Sequence, residues 1–387
     1  MLARLAVAAL ALTTLAACSD HSTPTAPSAT LQPSFSRSGD DDQHDDGSGA
    51  VFVSTNDATA NAVIAFTRHS NGTLTKSSTY STGGRGVGGT TDPLTSQFAL
   101  TLSENAQTLF VVNAGSNEVT SFAVHGSTLT SRSRVTSGGT FPVSVASGHR
   151  ALYVLNAQSN TIGVIPVSER GVLAAAPTQT VSLQAGALGA TAVRLSRDGR
   201  YLSVTERASN TIDSYRVDED GRLRALATTT SAGSTPFGFD YTPRGQLIVS
   251  EAGVGSVSSY GRARRGALQV ATSALVTGQR ATCWLIVDNA GRFAYTANAG
   301  SANISGVAIG QDGTLALSPA TGIGADLGTG AQPLDLDLSR DSRFLYVIKN
   351  GTGTVGVLRT NGDGTLTPLA DAPGLAIRAG YMGLAAY

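Results

Sequence analysis

FVVNAGSNEVTSFAV, residues Phe110 to Val124, is the stretch that decides the architecture. A short run rich in β-formers ends on Asn113, a small loop ends on Asn117, and a second run follows in which apolar and polar side chains alternate. That is the pattern of two antiparallel strands joined by a tight turn. The phrase recurs from Val51, Tyr153, Tyr201, Leu247, Ala294 and Leu345, with Gly-x-Leu after it, as in Gly221-Arg222-Leu223. The spacing is roughly 45–50 residues apart from a longer first interval, a period that marks a propeller of short-stranded blades.

Each unit holds four strand signals. In the fourth copy Ala192–Leu195 is the innermost strand, Tyr201–Thr205 the second, Thr211–Val217 the third, and Leu223 opens the fourth. Turns such as Asp198-Gly199-Arg200 separate them, with glycine where a positive φ is needed. The expected fold is all-β: seven four-stranded antiparallel blades. Nothing before Val51 reads as a strand, and Tyr381–Tyr387 is a leftover apolar segment. It supplies the missing innermost strand of the first blade and closes the ring, which removes an open sheet edge. Deleting it is expected to open the ring.

Three segments follow: residues 1–17 as an export signal, 18–49 as a tether, and 50–387 as the propeller. Arg4, the apolar Leu5–Leu12 stretch and Leu15-Ala16-Ala17-Cys18 have the charge and small residues of a cleaved signal. Leu-Ala-Ala-Cys resembles the lipobox of bacterial lipoproteins, which implies lipid on Cys18 and a membrane partner through it, at the cell envelope. The tether is rich in Ser, Thr, Pro and Asp and lacks apolar periodicity. Its Asp40–Asp46 cluster reads as a self-repelling linker rather than a metal site. With 27 basic and 27 acidic residues the formal charge is zero, so there is no electrostatic reason to expect nucleic acid. Cys283 is the other cysteine, which leaves no disulfide within the mature chain once Cys18 is lipidated.

Tyr295-Thr296-Ala297-Asn298, Phe110-Val111-Val112-Asn113, the Asp-Gly-Arg turn and the Gly-x-Leu tail together resemble the seven-bladed lactonase family, over about residues 50–387. The resemblance implies a lactone hydrolase without a cofactor. It also implies a histidine near the start of an inner strand. The comparable places, Pro142-Val143, Thr191-Ala192-Val193 and Pro236-Phe237, have none, and His69, His125 and His149 belong to the opposite face.

Candidate residues follow from topology. The second-to-third turns and the blade-to-blade connections share one face. The second strands end on Thr55, Asn113, Asn156, Glu206, Glu251, Asn298 and Lys349. Glu206 and Glu251 replace Asn in neighbouring blades and form a candidate acid–base pair; each could instead cap its own turn. Arg194, on an inner strand, joins them as a candidate catalytic residue. The connections add Arg85, Gln97, Arg280 and Trp284 as candidate substrate-binding residues. The Gly83–Gly89 loop could offer backbone N–H groups to an anion, or be a plain connection. A monomeric enzyme taking a small molecule, and a non-catalytic propeller binding a small ligand or a protein, both remain open.

Overall fold

The computed structural model describes residues 49–262 and 267–387; the export signal, Cys18 and most of the tether lie outside the described residues. Seven antiparallel sheets follow one another along the chain. Their innermost strands are Leu384–Ala386, Leu100–Leu102, Pro142–Ser147, Ala190–Leu195, Pro236–Tyr241, Thr282–Val287 and Pro333–Leu338. Each touches the next, and the last touches the first, so the ring is closed. The C-terminal strand pairs with Gly49–Ser54 in the register Val51↔Ala386, Phe52↔Ala385, Val53↔Leu384. Blade 1 is therefore built from both ends of the described chain, as the leftover apolar segment predicts. Blade 4 comprises Ala190–Leu195, Tyr201–Glu206, Thr211–Val217 and Leu223–Thr230, matching the sequence expectation strand for strand.

The repeated phrase has physical causes. The loop residue before the third strand is left-handed in six blades: Asn117, Asn160, Asn210, Gly255, Ala302 and Gly353. Asn and Gly are the residues that enter this region at least cost. The glycine of Gly-x-Leu also turns left-handed and sits against the preceding blade. A Cβ on Gly72 would lie 2.2 Å from the Phe344 ring, and one on Gly364 would lie 2.4 Å from Phe293. The leucine two residues on is buried, as at Leu223 and Leu366. Tyr153 and Tyr346 tie the same junctions by donating to the carbonyls of Gly221 (2.8 Å) and Gly72 (3.0 Å). One short motif thus ends a strand, makes a turn and glues two blades.

A second repeat was not legible in the sequence. The residue immediately before the innermost strand is left-handed in all seven blades: Gly383, Phe98, Phe141, Gly189, Thr235, Ala281 and Gln332, with Ala99 as a lead-in residue after Phe98. Five of these are not glycine, so ring geometry imposes the conformation and the surrounding structure holds it.

Candidate functional site

The second strands end, and the blade connections arrive, on one face, here called the upper face. The long first interval is explained there. The connection from blade 1 to blade 2 crosses the mouth of the central channel and fills it. Thr90 accepts from Asn350 of blade 7 (3.0 Å). Ser96 donates to the Val143 carbonyl (2.9 Å) and its own carbonyl accepts from the Trp284 indole (2.9 Å). The Gln97 amide both accepts from Leu285 N–H (3.1 Å) and donates to Leu285 C=O (2.9 Å). The Phe98 N–H donates to Asp335 (3.2 Å). One short segment is thereby fastened to blades 3, 6 and 7 before it enters blade 2. Asp92, Thr95 and Phe98 all take positive φ within it. A β-branched residue such as Thr95 does so only where its neighbours over-determine the backbone.

This plug changes the reading of two candidates. Gln97 and Trp284, expected to contact substrate, are buried, and their polar atoms bond plug to wall. Both act as channel packing. Arg194 lies toward the opposite mouth: its guanidinium donates to Asp240 (3.0 Å) and stacks over the Phe98 ring at 4.2 Å. Arg197 completes a cluster on the same aspartate at 3.4 Å. Arg194 therefore stands apart from the upper-face carboxyls. Arg280 is on the upper face but lies along its own turn, donating to the Gly300 carbonyl (3.2 Å).

Glu206 and Glu251 both end their strands on the upper face, and both are buried. Glu251 is fully engaged. One oxygen accepts from Ser231 (3.1 Å), Gly233 N–H (2.6 Å) and Ser258 (2.7 Å), and the other from Ser256 (2.5 Å). That set is a structural carboxylate binding the blade 4–5 connection to blade 5. Glu206 differs. Its Oε2 accepts from Ser209 (2.9 Å) and Thr211 (2.7 Å), while Oε1 is buried with no hydrogen-bonded partner. Burial, with the carboxylate of Asp213 beside it, pushes its pKa up to about 7. A second negative charge beside Asp213 is disfavoured, so burial and that neighbour together favour the neutral form of Glu206. The partner of Glu206 is thus Asp213, not Glu251.

A carboxyl that the sequence reading passed over lies on the plug. Asp92 is half-buried on the plug, and its side chain accepts from Ser96 N–H (3.3 Å). Burial raises its pKa to about 7, although its backbone hydrogen bonds and the positive charge of Arg207 pull the other way. Arg207 is exposed and directly follows Glu206, whose two hydroxyl contacts fix the turn that carries it. The signal for Asp92 was the surplus length of the first interval, which contains Asp92-Pro93.

The Gly83–Gly89 loop is not a free anion cradle. From Gly83 to Gly88 every backbone N–H has a partner: Ser81, Thr82, Ser116, Asp57, the Asn56 side chain and the Asn56 carbonyl in turn. It is an ordered connection. Arg85 at its centre does line a cleft, described below. Cys283 is buried with its thiol pKa pushed up to about 12, chiefly by burial, the state of a small core hydrophobe. Among the described residues no group of three or more His, Cys, Asp or Glu could hold a metal ion.

A family model, "Lactonase, 7-bladed beta-propeller", matches residues 57–186 and 145–252, together half of the chain. The chain belongs to this lactonase family. Solved structures share the fold across nearly the whole propeller. A candidate 6-phosphogluconolactonase from Bacteroides fragilis superposes with a TM-score of 0.70 at 17% identity, covering 89% of this chain and 99% of that one. The periplasmic gluconolactonase of Pseudomonas aeruginosa gives 0.65 at 18% identity, covering 87% and 99%. Virginiamycin B lyase from Staphylococcus aureus gives 0.50 at 14% identity, covering 76% and 90%. No curated protein matches. A hydrolase name and a lyase name on one architecture show that the fold alone does not choose the chemistry.

Proposed function

We propose that this lactonase-family chain hydrolyses a small lactone at the upper mouth of the propeller, at the cell envelope and anchored by lipid on Cys18. The observation that carries the reading is Asp92 on the channel plug, a half-buried carboxyl with a pKa raised to about 7 that feels the charge of Arg207. A carboxyl titrating near neutrality suits both halves of the reaction. Ionised Asp92 removes a proton from water, whose oxygen attacks the lactone carbonyl. The guanidinium of Arg207 stabilises the oxyanion. Collapse breaks the ring C–O bond, and the proton on Asp92 passes to the leaving ring oxygen, giving a hydroxy acid. Glu206 is a positioning residue that sets the turn of Arg207. The neighbouring gluconolactonase makes sugar lactones the first substrates to try.

The test is hydrolysis of a lactone panel by the full chain. Activity is expected to rise with pH through about 7 as Asp92 ionises. Asp92→Asn is expected to lower kcat by about 100-fold or more, the size of a general acid–base contribution. A folded Asp92→Asn protein with unchanged kcat would overturn the assignment. Labelling with a radioactive fatty acid, lost in Cys18→Ser, tests the anchor.

A second reading has its own support. Leu188, Val254, Val276, Ile323 and Ile377, five of the seven large aliphatic side chains exposed among the described residues, lie on connections and strand ends of the upper face, spread over several blades. A bias of exposed apolar side chains toward one face favours a protein partner docking there. Absence of turnover on every lactone by folded protein would move the proposal to a tethered binding propeller.

A further inference from the structure

A cleft of about 350 Å³ opens on the upper face between blades 1 and 2, away from the plugged mouth. Its size is at the small end of the range for ligand sites, suited to a compact molecule rather than a polymer. Arg85, Ser81, Ser116, Thr59, Glu118 and Arg134 line it. Their hydrogen bonding determines what they can still offer. Arg85 makes no side-chain hydrogen bond or ion pair among the described residues. Ser81 Oγ and Ser116 Oγ each accept a backbone N–H, from Gly83 (3.1 Å) and Arg85 (3.1 Å). A hydroxyl that accepts from the backbone keeps its own proton to donate. Arg134 is held in place by the Gly83 carbonyl and by Glu118 at 3.6 Å. Its bridge to Glu118 leaves that carboxylate able to accept further hydrogen bonds. Gly84 keeps this wall closely packed, because a Cβ there would lie 2.4 Å from the Asn113 side chain.

The cleft thus presents a free guanidinium and two hydroxyl donors beside one carboxylate acceptor. Donors of that kind match a carboxylate, with Arg85 able to engage it bidentately. The acceptor matches a hydroxyl on the same molecule. We infer that the Arg85 cleft is a binding site for a small hydroxy acid. Lactone hydrolysis yields this class of compound, but the inference stands on the cleft alone and does not require the proposed reaction.

The probe is D-gluconate, titrated into the full chain and followed by calorimetry and by amide NMR shifts. Saturable binding is expected, with shifts centred on residues 59–60, 81–85, 116–118 and 134. Arg85→Gln is expected to weaken it roughly tenfold or more, as loss of a charge-assisted bond implies. Arg85→Lys should recover part of the loss, restoring the charge without the fork. The neutral polyol sorbitol should not bind. Asp92→Asn should leave gluconate binding intact even where it abolishes hydrolysis, which separates failure of this site from failure of the hydrolytic reading. No gluconate binding, equal binding by Arg85→Gln, equal binding of sorbitol, or loss of binding in Asp92→Asn would each overturn the assignment.

Discussion

Glu206 and Glu251 end the second strands of adjacent blades, at the same position of the same repeat, both buried on the same face. Glu251 accepts four hydrogen bonds, three from the serines at 231, 256 and 258 and one from a glycine N–H. Glu206 accepts two and lies beside Asp213, with one oxygen unpartnered. What the third strand places opposite the carboxylate decides its state. Blade 5 supplies Ser256 and Ser258; blade 4 supplies Thr211 and Asp213, which puts a like charge where blade 5 has a serine donor. The same side chain is a structural clamp in one blade and a neutral-range acid in the next.

The strongest way to break the comparison is to remove the clamp. Glu251→Ala leaves Ser231, Ser256, Ser258 and Gly233 N–H without their acceptor in a dry site. A loss of about 3 kcal/mol or more is expected, seen as an earlier denaturation midpoint. A stability change under about 1 kcal/mol would show that water or neighbouring carbonyls satisfy those donors.

A milder cut removes a single donor. Ser256→Ala is expected to cost about 1.5–3 kcal/mol, the value of a hydrogen bond to a charged group. Thr211→Ala, the equivalent position in blade 4, should cost less, because its acceptor is neutral for much of the accessible pH range. It should also raise the Glu206 titration further, since Thr211 stabilises the ionised form. Carboxyl NMR titration of both variants would check the direction.

The smallest expected effect is on stability at low pH. Glu206→Gln keeps an acceptor for Ser209 and Thr211 and offers an amide donor to Asp213, so at pH 5 the change should stay within about 1 kcal/mol. Its signature lies in pH dependence. The pKa of Glu206 is raised from 4.5 to about 7 on folding, so its contribution is fully present below about 4.5 and is lost as pH rises through about 7. Stability of the native chain should fall across that window, and Glu206→Gln should flatten the fall by up to one proton. Asp92, Asp335 and Asp337, raised to about 7, about 8 and about 6, keep the rest of the slope. An identical slope in Glu206→Gln would place the proton elsewhere.

Much of the fold was legible because its determinants are local. Asn or Gly before the third strand, glycine in Gly-x-Leu and alternating apolar residues each follow from backbone sterics and burial over a few residues. The candidate site was legible only in part. The upper face, the difference of Glu206 and Glu251 from asparagine, and Arg85 on a blade connection came from pattern and topology; the cleft beside Arg85 did not. Asp92 was missed because its importance depends on where a connection without periodicity comes to rest. Gln97 and Trp284 were placed on the correct face but meet each other's segments instead of solvent.

The sequence by itself determined seven blades, their strand order and the closure of blade 1 by the C-terminal strand, because a repeating local pattern leaves one way to bury its apolar faces. Only the tertiary structure decided which carboxyls are pushed toward the neutral form, that the channel mouth is plugged, and which arginine is left free beside a cleft. Those properties arise from groups far apart in the chain, Ser96 with Trp284 or Gln97 with Leu285, brought into one low-dielectric place where a single neighbouring charge or donor sets the outcome.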